Sequence, residues 1–362
     1  MSATHSPAEA FSPGEYLRDE LEERGWTATE FAQIIDRPIQ AVSEILNGKK
    51  EITAETAVAF SEALGTSAEL WLNLQNAFKL HQVRNRSTEL SPVARRSRLR
   101  DFGPIAEMQR RGWLTPGSDL DQLEEEVKAL FGLESLEDQV DLAFAARRSN
   151  EGQDPTPGQV AWLAHVKRRA VGRQIGPLDL DRLGALAAAT PRELRDGPAG
   201  IPLLARDLAD CGVVLVFEGG LAGSKLDGAV VFGDEGTAVV GVTGRYDRFD
   251  GFMFTFLHEL AHLVLRHIEP GADVLVDENL DDTSPSSAVE ASANAQALEW
   301  MFPGGFTPPD GAVGAASVAR VATTFGVHPS LVIGQLHRRG LLDWSRLRSH
   351  IPKVRPFLEE VR

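Results

Sequence analysis

The run His258-Glu259-Leu260-Ala261-His262 constrains this chain more than any other feature. It lies within residues 251–267 (GFMFTFLHELAHLVLRH), which hold no Pro and no Gly after the first position. The stretch predicts a helix, and on a helix residues four apart share a face. Both imidazoles can then reach one cation while Glu259 lies beside them. Neutral His nitrogens suit Zn²⁺, and a neighbouring carboxylate can take a proton from water that the metal acidifies. Such a pattern arises by chance in roughly one chain in a hundred of this length. The competing reading, one solvated His and one buried helix residue, is therefore a real one. Its surroundings decide against it: Phe252, Met253, Phe254, Phe256, Leu257, Leu260, Leu263, Val264 and Leu265 make this a core helix. Two His and a Glu buried there without a shared task would be costly.

A second helix is expected over residues 288–301, carrying Glu290 and, one turn later, Asn294. Glu290 is the expected third ligand, leaving a fourth position for water, as catalytic zinc sites require. Asn294, on the same face, can orient a ligand by hydrogen bonding. The polar stretch 273–287 between the helices is long enough for the second to fold back antiparallel. The extended H-E-x-x-H-x-x-G-x-x-H pattern is absent, since Leu265 and Ile268 stand at its Gly and third His positions. Glu269, Asp277 and Glu278 are poorer ligand candidates because they fall in an expected loop.

Arg245-Tyr-Asp-Arg-Phe-Asp, FTFLHELAHLVLRH, Glu290-Ala-Ser-Ala-Asn and Met301-Phe-Pro303 together resemble the ImmA/IrrE family of zinc metallopeptidase domains, over about residues 200–345. The resemblance implies that His258, His262 and Glu290 bind the metal and that Glu259 is the general base. Where that family usually has a second acidic residue and a Phe in the later helix, this chain has Ser292 and Gln296.

Composition bounds the rest. With 362 residues, two or three domains are expected. No stretch approaches a membrane span, and the first residues lack the basic and apolar regions of a signal peptide. The single cysteine, Cys211, rules out an intramolecular disulfide and, in Cys-Gly-Val-Val-Leu-Val, reads as a buried structural thiol. The expected compartment is the cytoplasm. A net charge of −15 argues against a general polyanion-binding surface, so any nucleic-acid contact must be local.

The local candidate is at the other end of the chain. Residues 13–24, 29–35 and 38–46 read as three helices, with Asp36-Arg37-Pro38 as the turn and Asn47-Gly48 as the stop. The spacing fits a helix-turn-helix with 38–46 as the reading helix, and equally a plain three-helix packing unit. Ile45-Leu-Asn-Gly-Lys-Lys-Glu-Ile-Thr, Ala63-Leu-Gly-Thr-Ser and Trp71-Leu-Asn-Leu-Gln are similar to the HigA branch of XRE-type DNA-binding proteins, over about residues 10–80. That resemblance implies a third helix in the major groove. Gln40 and Ser43 then project outward with Arg37 from the turn, and Lys49 and Lys50 follow where a phosphate could lie. Residues 12–80 carry six Lys/Arg against twelve Asp/Glu, a net of −6, so binding as a homodimer to paired half-sites is expected. Between residues 84 and 111, Arg84, Arg86, Arg95, Arg96, Arg98, Arg100, Arg110 and Arg111 either add phosphate contacts or form a solvated or acid-paired face.

Further along, 119–131, 160–175 and 203–210 read as helices, 150–158 as an exposed loop, and 212–217, 228–232 and 237–242 as three strands. Strands leading into the H-E-x-x-H helix suggest a sheet whose edge could hold an extended peptide. Residues 318–342 have a helix–turn–helix rhythm, read as the closing part of that domain, with a second DNA-binding unit as the other reading.

The fold expected is α+β and mostly helical: an all-α helix-turn-helix domain (10–80), a helical connector (81–195) and a zincin-like α+β domain (196–362). The function expected is a DNA-binding regulator of antitoxin or stress-response type, with operator DNA as one partner. Its zinc endopeptidase domain would cleave a protein partner; no oxyanion donor is identifiable, Tyr246 and His267 being conceivable there but reading better as structural residues. Alternatively, the zinc domain is a non-catalytic sensor or a scaffold for a cognate toxin, or the connector itself sequesters a toxin.

Overall fold

The computed structural model describes residues 11–84, 90–138, 155–233, 236–269, 275–278 and 288–361. These divide into two compact units, residues 1–91 and 92–362. Among the described residues no helix is long and apolar enough to cross a membrane.

In the first unit five helices follow one another: α1 (Pro13–Arg24), α2 (Ala28–Ile34), α3 (Ile39–Leu46), α4 (Ala54–Leu64) and α5 (Ala68–Arg84). Capping boxes start the first two: the side chains of Ser12 and Thr27 accept from Glu15 N and Glu30 N, and those carboxylates accept from the cap backbone. Gly25 and Gly65, at φ near +67°, end α1 and α4 in the left-handed conformation. The core is Leu17, Leu21, Phe31, Val42, Ile45, Phe60 and Trp71. Edge-on ring pairs Phe31–Phe60 and Phe60–Trp71, each 5.1 Å apart, lock α2, α4 and α5 together. Gly14 lies so close to the end of α3 that a Cβ there would stand 2.4 Å from Ile45 O, which makes α1 and α3 neighbours.

The second unit begins at Pro92 and takes in most of the stretch expected as a separate connector. Its helices are α6 (Pro92–Leu99), α7 (Ile105–Arg110), α8 (Leu120–Phe131), α9 (Pro157–Ala170), α10 (Leu180–Glu193), α11 (Ile201–Asp210), α12 (Phe249–Val264), α13 (Ala288–Met301), α14 (Ala315–Phe325), α15 (Pro329–Arg338) and α16 (Arg355–Glu359). Between them run β1 (Val213–Phe217), β2 (Leu226–Phe232), β3 (Ala238–Val242) and β4 (Leu275–Glu278), in the order β1-β3-β2-β4. β1 and β3 are parallel, and β2 is antiparallel to both β3 and β4. Most of the stretch 150–158 expected as a loop lies outside the described residues, and α9 starts at Pro157.

Both faces of the sheet are covered, which is why β1 and β3 read as unbroken apolar runs rather than alternating ones. Val213, Leu215, Phe217, Val230, Val240 and Val242 face α12 and its neighbours. Val214, Val216, Ala229, Val231 and Val239 face Trp162, Leu163 and Val166 of α9. A Cβ at Gly241 would lie 2.7 Å from the Trp162 ring, so glycine is what admits that indole to the sheet. Trp162 Nε1 donates to Glu218 O at 2.8 Å, which satisfies the indole's polar atom. α14 and α15 bury Val318, Ala322, Leu331, Val332, Ile333 and Leu336 in the same core as α12. With most of α15 buried, no face is left for it to act as a DNA reader.

The sheet departs from expectation at one place. Residues 273–287 were expected to form only a polar connection, yet 275–278 add a fourth strand on β2, pairing Ala229 with Val276 and Val230 with Leu275. The edge of β2 is therefore already paired. A backbone edge recruits any segment that can reach it, whatever its polarity.

Trp162→Ala should destabilise the second unit by about 3–5 kcal/mol, as for other buried large-to-small aromatic changes. Urea titration followed by far-UV circular dichroism measures this, and an unchanged midpoint would contradict the packing described.

Candidate metal centre and candidate nucleic-acid interface

α12 is buried over nearly its whole length, with His258, Glu259 and His262 all 0% exposed. The two His side chains are one turn apart and bring their Nε2 atoms to 2.9 Å. From α13, Glu290 approaches both: Oε2 is 3.2 Å from His258 Nε2 and Oε1 is 3.7 Å from His262 Nε2. Among the described residues these three form the one cluster of His, Cys, Asp or Glu arranged to share a cation, with ligand atoms within 4.8 Å of one another. Tetrahedral zinc with bonds of 2.0–2.1 Å separates its ligand atoms by about 3.3 Å. The observed 2.9, 3.2 and 3.7 Å bracket that spacing, so small side-chain adjustments suffice to admit the ion.

The far nitrogens of both rings are engaged. His258 Nδ1 lies 3.1 Å from Asn294 Oδ1, and an amide oxygen can only accept, so Nδ1 donates, which in the neutral ring leaves Nε2 its lone pair. His262 Nδ1 lies 3.0 Å from His267 Nδ1, and His267 Nε2 lies 3.1 Å from Ser292 Oγ. If His262 donates in that pair, its Nε2 is also a bare lone pair. Two lone pairs then face each other beside a carboxylate, an arrangement that a shared cation relieves. Burial, with the nearby His258, holds the His267 pKa below the usual histidine range.

The structure thus brings His258, His262, Glu290 and Asn294 together, as the sequence predicts. It places His267 behind His262, bonded to its ring. Ser292, noted above only as a departure, holds His267 in turn. The sequence signal for this pair was the i, i+5 spacing of His262 and His267 just past the helix end. Tyr246 lies at the rim of a neighbouring cavity, with the Arg245 guanidinium 4.7 Å from its ring. Glu259 is outside the three-donor cluster and lies against β2: a Cβ at Gly228 would stand 2.3 Å from its Oε1. Glycine at 228 is therefore what leaves room for the Glu259 carboxylate. Cys211 is buried and free, and burial raises its thiol pKa, as expected of a structural cysteine.

In the first unit α2, a turn through Asp36 (φ +48°) and α3 have helix-turn-helix geometry. Arg37, Gln40, Ser43, Lys49 and Lys50 are all exposed. Gln40 Nε2 donates to Glu44 Oε1 at 3.1 Å, so this amide must leave an acid before it can meet a base edge. Asn47, which the sequence reading used only as a helix stop, donates from Nδ2 to Ser43 O at 2.7 Å. It continues the exposed stripe of Gln40 and Ser43 by helical spacing. Three arginines of the basic stretch form internal pairs: Arg95 with Asp121 and Glu124, Arg98 with Glu137, and Arg111 with Glu107. Arg86 lies outside the described residues.

Comparison with known proteins bears on this first unit. A helix-turn-helix family model matches residues 17–71. The HTH-type transcriptional regulator YddM of Escherichia coli is 35% identical over 71 residues, which is 20% of this chain and 76% of that protein. Antitoxin HigA-1 of Vibrio cholerae is 39% identical over 79 residues, 22% of this chain and 74% of that protein. The solved structure of a HigA-family antidote protein from Coxiella burnetii is 32% identical, covering 23% of this chain and 99% of that one, with a TM-score of 0.20. The N-terminal unit is a helix-turn-helix domain of XRE type. Through it the chain belongs to the helix-turn-helix family, with HigA-like antitoxins among its relatives.

Gly228→Ala should destabilise the second unit, and combining it with Glu259→Ala should recover about 1 kcal/mol or more of that loss. A double-mutant cycle by urea denaturation reads the coupling. Strict additivity would mean that the carboxylate does not occupy the space over Gly228.

Proposed function

We propose that this chain is a DNA-binding transcriptional regulator of antitoxin or stress-response type whose second unit is a zinc-dependent endopeptidase acting on a protein partner. The regulator half is supported by the helix-turn-helix domain and by relatives known as transcriptional regulators and antitoxins. In this reading a homodimer binds paired operator half-sites. Arg37, Gln40 and Ser43 meet bases, and Lys49 and Lys50 meet phosphates.

The observation that carries the peptidase half is the buried three-donor cluster of His258, His262 and Glu290. Zinc held there would supply Lewis-acid polarisation of a peptide carbonyl and lower the pKa of water. The residues do the rest. Asn294 and His267 hold the two imidazoles in the tautomers that present Nε2. Glu259 takes the proton from the attacking water and returns it to the leaving amine.

One observation favours the second reading, in which the zinc unit is a sensor or toxin-binding scaffold. β4 already pairs with the edge of β2, so a substrate strand must displace it or pair with the outer edge of β4.

About one zinc per chain should copurify. His258→Ala, His262→Ala and Glu290→Ala should each lower it sharply, whereas Glu259→Gln should keep it. Asn294→Ala and His267→Ala should weaken the affinity by about 10- to 100-fold in chelator competition. Full occupancy in Glu290→Ala would remove Glu290 from the ligand set.

A promoter reporter separates the two readings. Glu259→Gln should leave operator binding intact and abolish the regulatory response. Equal output from wild type and Glu259→Gln, with loss in His258→Ala, would make the zinc structural and the scaffold reading correct. For the interface, Gln40→Ala should relax base preference, and Lys49→Ala should weaken all sequences and lower the salt slope by about one.

A further inference from the structure

Residues 275–278 belong to the stretch that joins α12, which carries His258 and His262, to α13, which carries Glu290. Leu275, Val276 and Asp277 pair antiparallel with Val230, Ala229 and Gly228, and Glu278 pairs with Leu226.

The place where this strand lands on β2 is a particular one. Gly228 is the residue over which the Glu259 carboxylate lies, and its partner in β4 is Asp277. Paired strands lie about 4.8 Å apart, so the β4 backbone runs one strand spacing from the glycine that makes room for the proposed general base. Immediately before Gly228 the pairing skips Asp227, which forms a bulge. That bulge is held from the opposite side: Thr243 N donates to Asp227 O at 3.0 Å, and Thr243 Oγ1 donates to Leu226 O at 2.9 Å. It is thus fixed by the β3 side of the sheet, independently of β4. Bulges collect next to active sites, where they redirect or end a ladder.

β4 is a weak cover for such a place. It has four residues against seven in β2, and its register is interrupted within that length. So short a pairing is marginal by itself. Tethers to α12 and α13 hold it there, by keeping its local concentration at roughly the millimolar level. Asp277 and Glu278 also put two acids into the outermost strand, a common means of keeping an edge from recruiting a further strand. The edge suited to an incoming extended segment is therefore that of β2, once β4 has left it.

The present occupant indicates what that edge accepts. Two aliphatic residues stand opposite Val230 and Ala229, and two acids stand opposite Gly228 and Leu226. At the acidic end Lys225 is exposed directly before β2. Arg245 Nη1 donates to Lys225 O at 3.2 Å and lies 3.5 Å from Asp227 Oδ1, so two cations gather at this end around one acid.

We propose that residues 275–278 are an internal pseudosubstrate, and that a protein partner binds by replacing them on β2 with an extended segment of two aliphatic residues followed by two acids. The backbone ladder supplies affinity, and the order of aliphatic and acidic residues supplies selectivity. The binding site stands under either reading of the zinc unit. Its inhibitory consequence rests on the peptidase reading.

The test uses a fluorescein-labelled peptide with the sequence of residues 273–280, DVLVDENL. Fluorescence anisotropy compares the full chain with a variant combining Leu275→Gly, Val276→Ser, Asp277→Gly and Glu278→Ser. The variant should bind at least about tenfold more tightly, because a tethered competitor has been removed. A peptide with lysine at both acidic positions should bind the variant at least about tenfold more weakly than the original peptide. In the wild type, about 1 mM unlabelled peptide should strip hydrogen-exchange protection from residues 275–278 while β2 stays protected. Circular dichroism and thermal melting check folding, and Val276→Pro replaces the fourfold variant if that one unfolds.

Equal affinity for wild type and variant overturns the proposal, as does absence of binding to a folded variant. So does continued protection of residues 275–278 with peptide bound, which would place the peptide on the outer edge of β4. Mass spectrometry of the peptide after incubation with zinc-loaded protein separates the two layers of the inference. Faster cleavage by the variant than by wild type supports inhibition by β4. Tight binding to the variant without cleavage keeps the β2 site and removes the peptidase reading together with the inhibition.

Discussion

Burial of α12 sets the terms for the second unit. The helix carries two imidazoles and a carboxylate into a region with no solvent access, and each group loses hydration that only specific partners can replace. For the two imidazoles the surrounding elements supply those partners. α13 brings Glu290 and Asn294 to the ring nitrogens, and the turn after α12 brings His267 back onto His262. β2 presents Gly228 where any larger residue would collide with Glu259. A change in one of these contacts leaves a buried polar group unsatisfied, so the centre is coupled to the position of both helices and of the central strand.

That coupling extends to the far side of the sheet. Because α9 packs on one face and α12 on the other, the strands can be apolar throughout and stay fixed in register. Trp162 reaches the sheet through the gap at Gly241 and so ties the helices preceding the strands to the platform that supports the His and Glu side chains. The same architecture closes the β2 edge with β4. Among the described residues the end of the sheet on that side is then β4 and not β2, so an extended strand approaching there meets the outer edge of β4.

The first unit solves a different problem. It is small, so its stability depends on dense aromatic packing and on well-capped helices. The exposed stripe of α3 is polar but not strongly basic, and Glu44 restrains Gln40 within it. In the proposed DNA-binding role, affinity for a polyanion would come from pairing two such units and from the lysines beyond the helix.

The local features were legible in the sequence because they depend on neighbours a few residues apart. Helical periodicity located α12, α13 and the three helices of the reading motif, and four-residue spacing put His258 and His262 on one face. Glu290 and Asn294 were legible for the same reason, as one face of a second helix. What the sequence could not supply were contacts between segments distant along the chain. The place of His267 behind His262, the strand made by residues 275–278, and the acid partners of Arg95, Arg98 and Arg111 follow from which surfaces meet. So does the cavity beside Phe254, whose walls come from α12, α15 and the segment after it. Residue type and spacing determined which side chains could do chemistry. The packing of the sheet and its helices decided which of them share a site, because burial removes solvent only where distant surfaces close together.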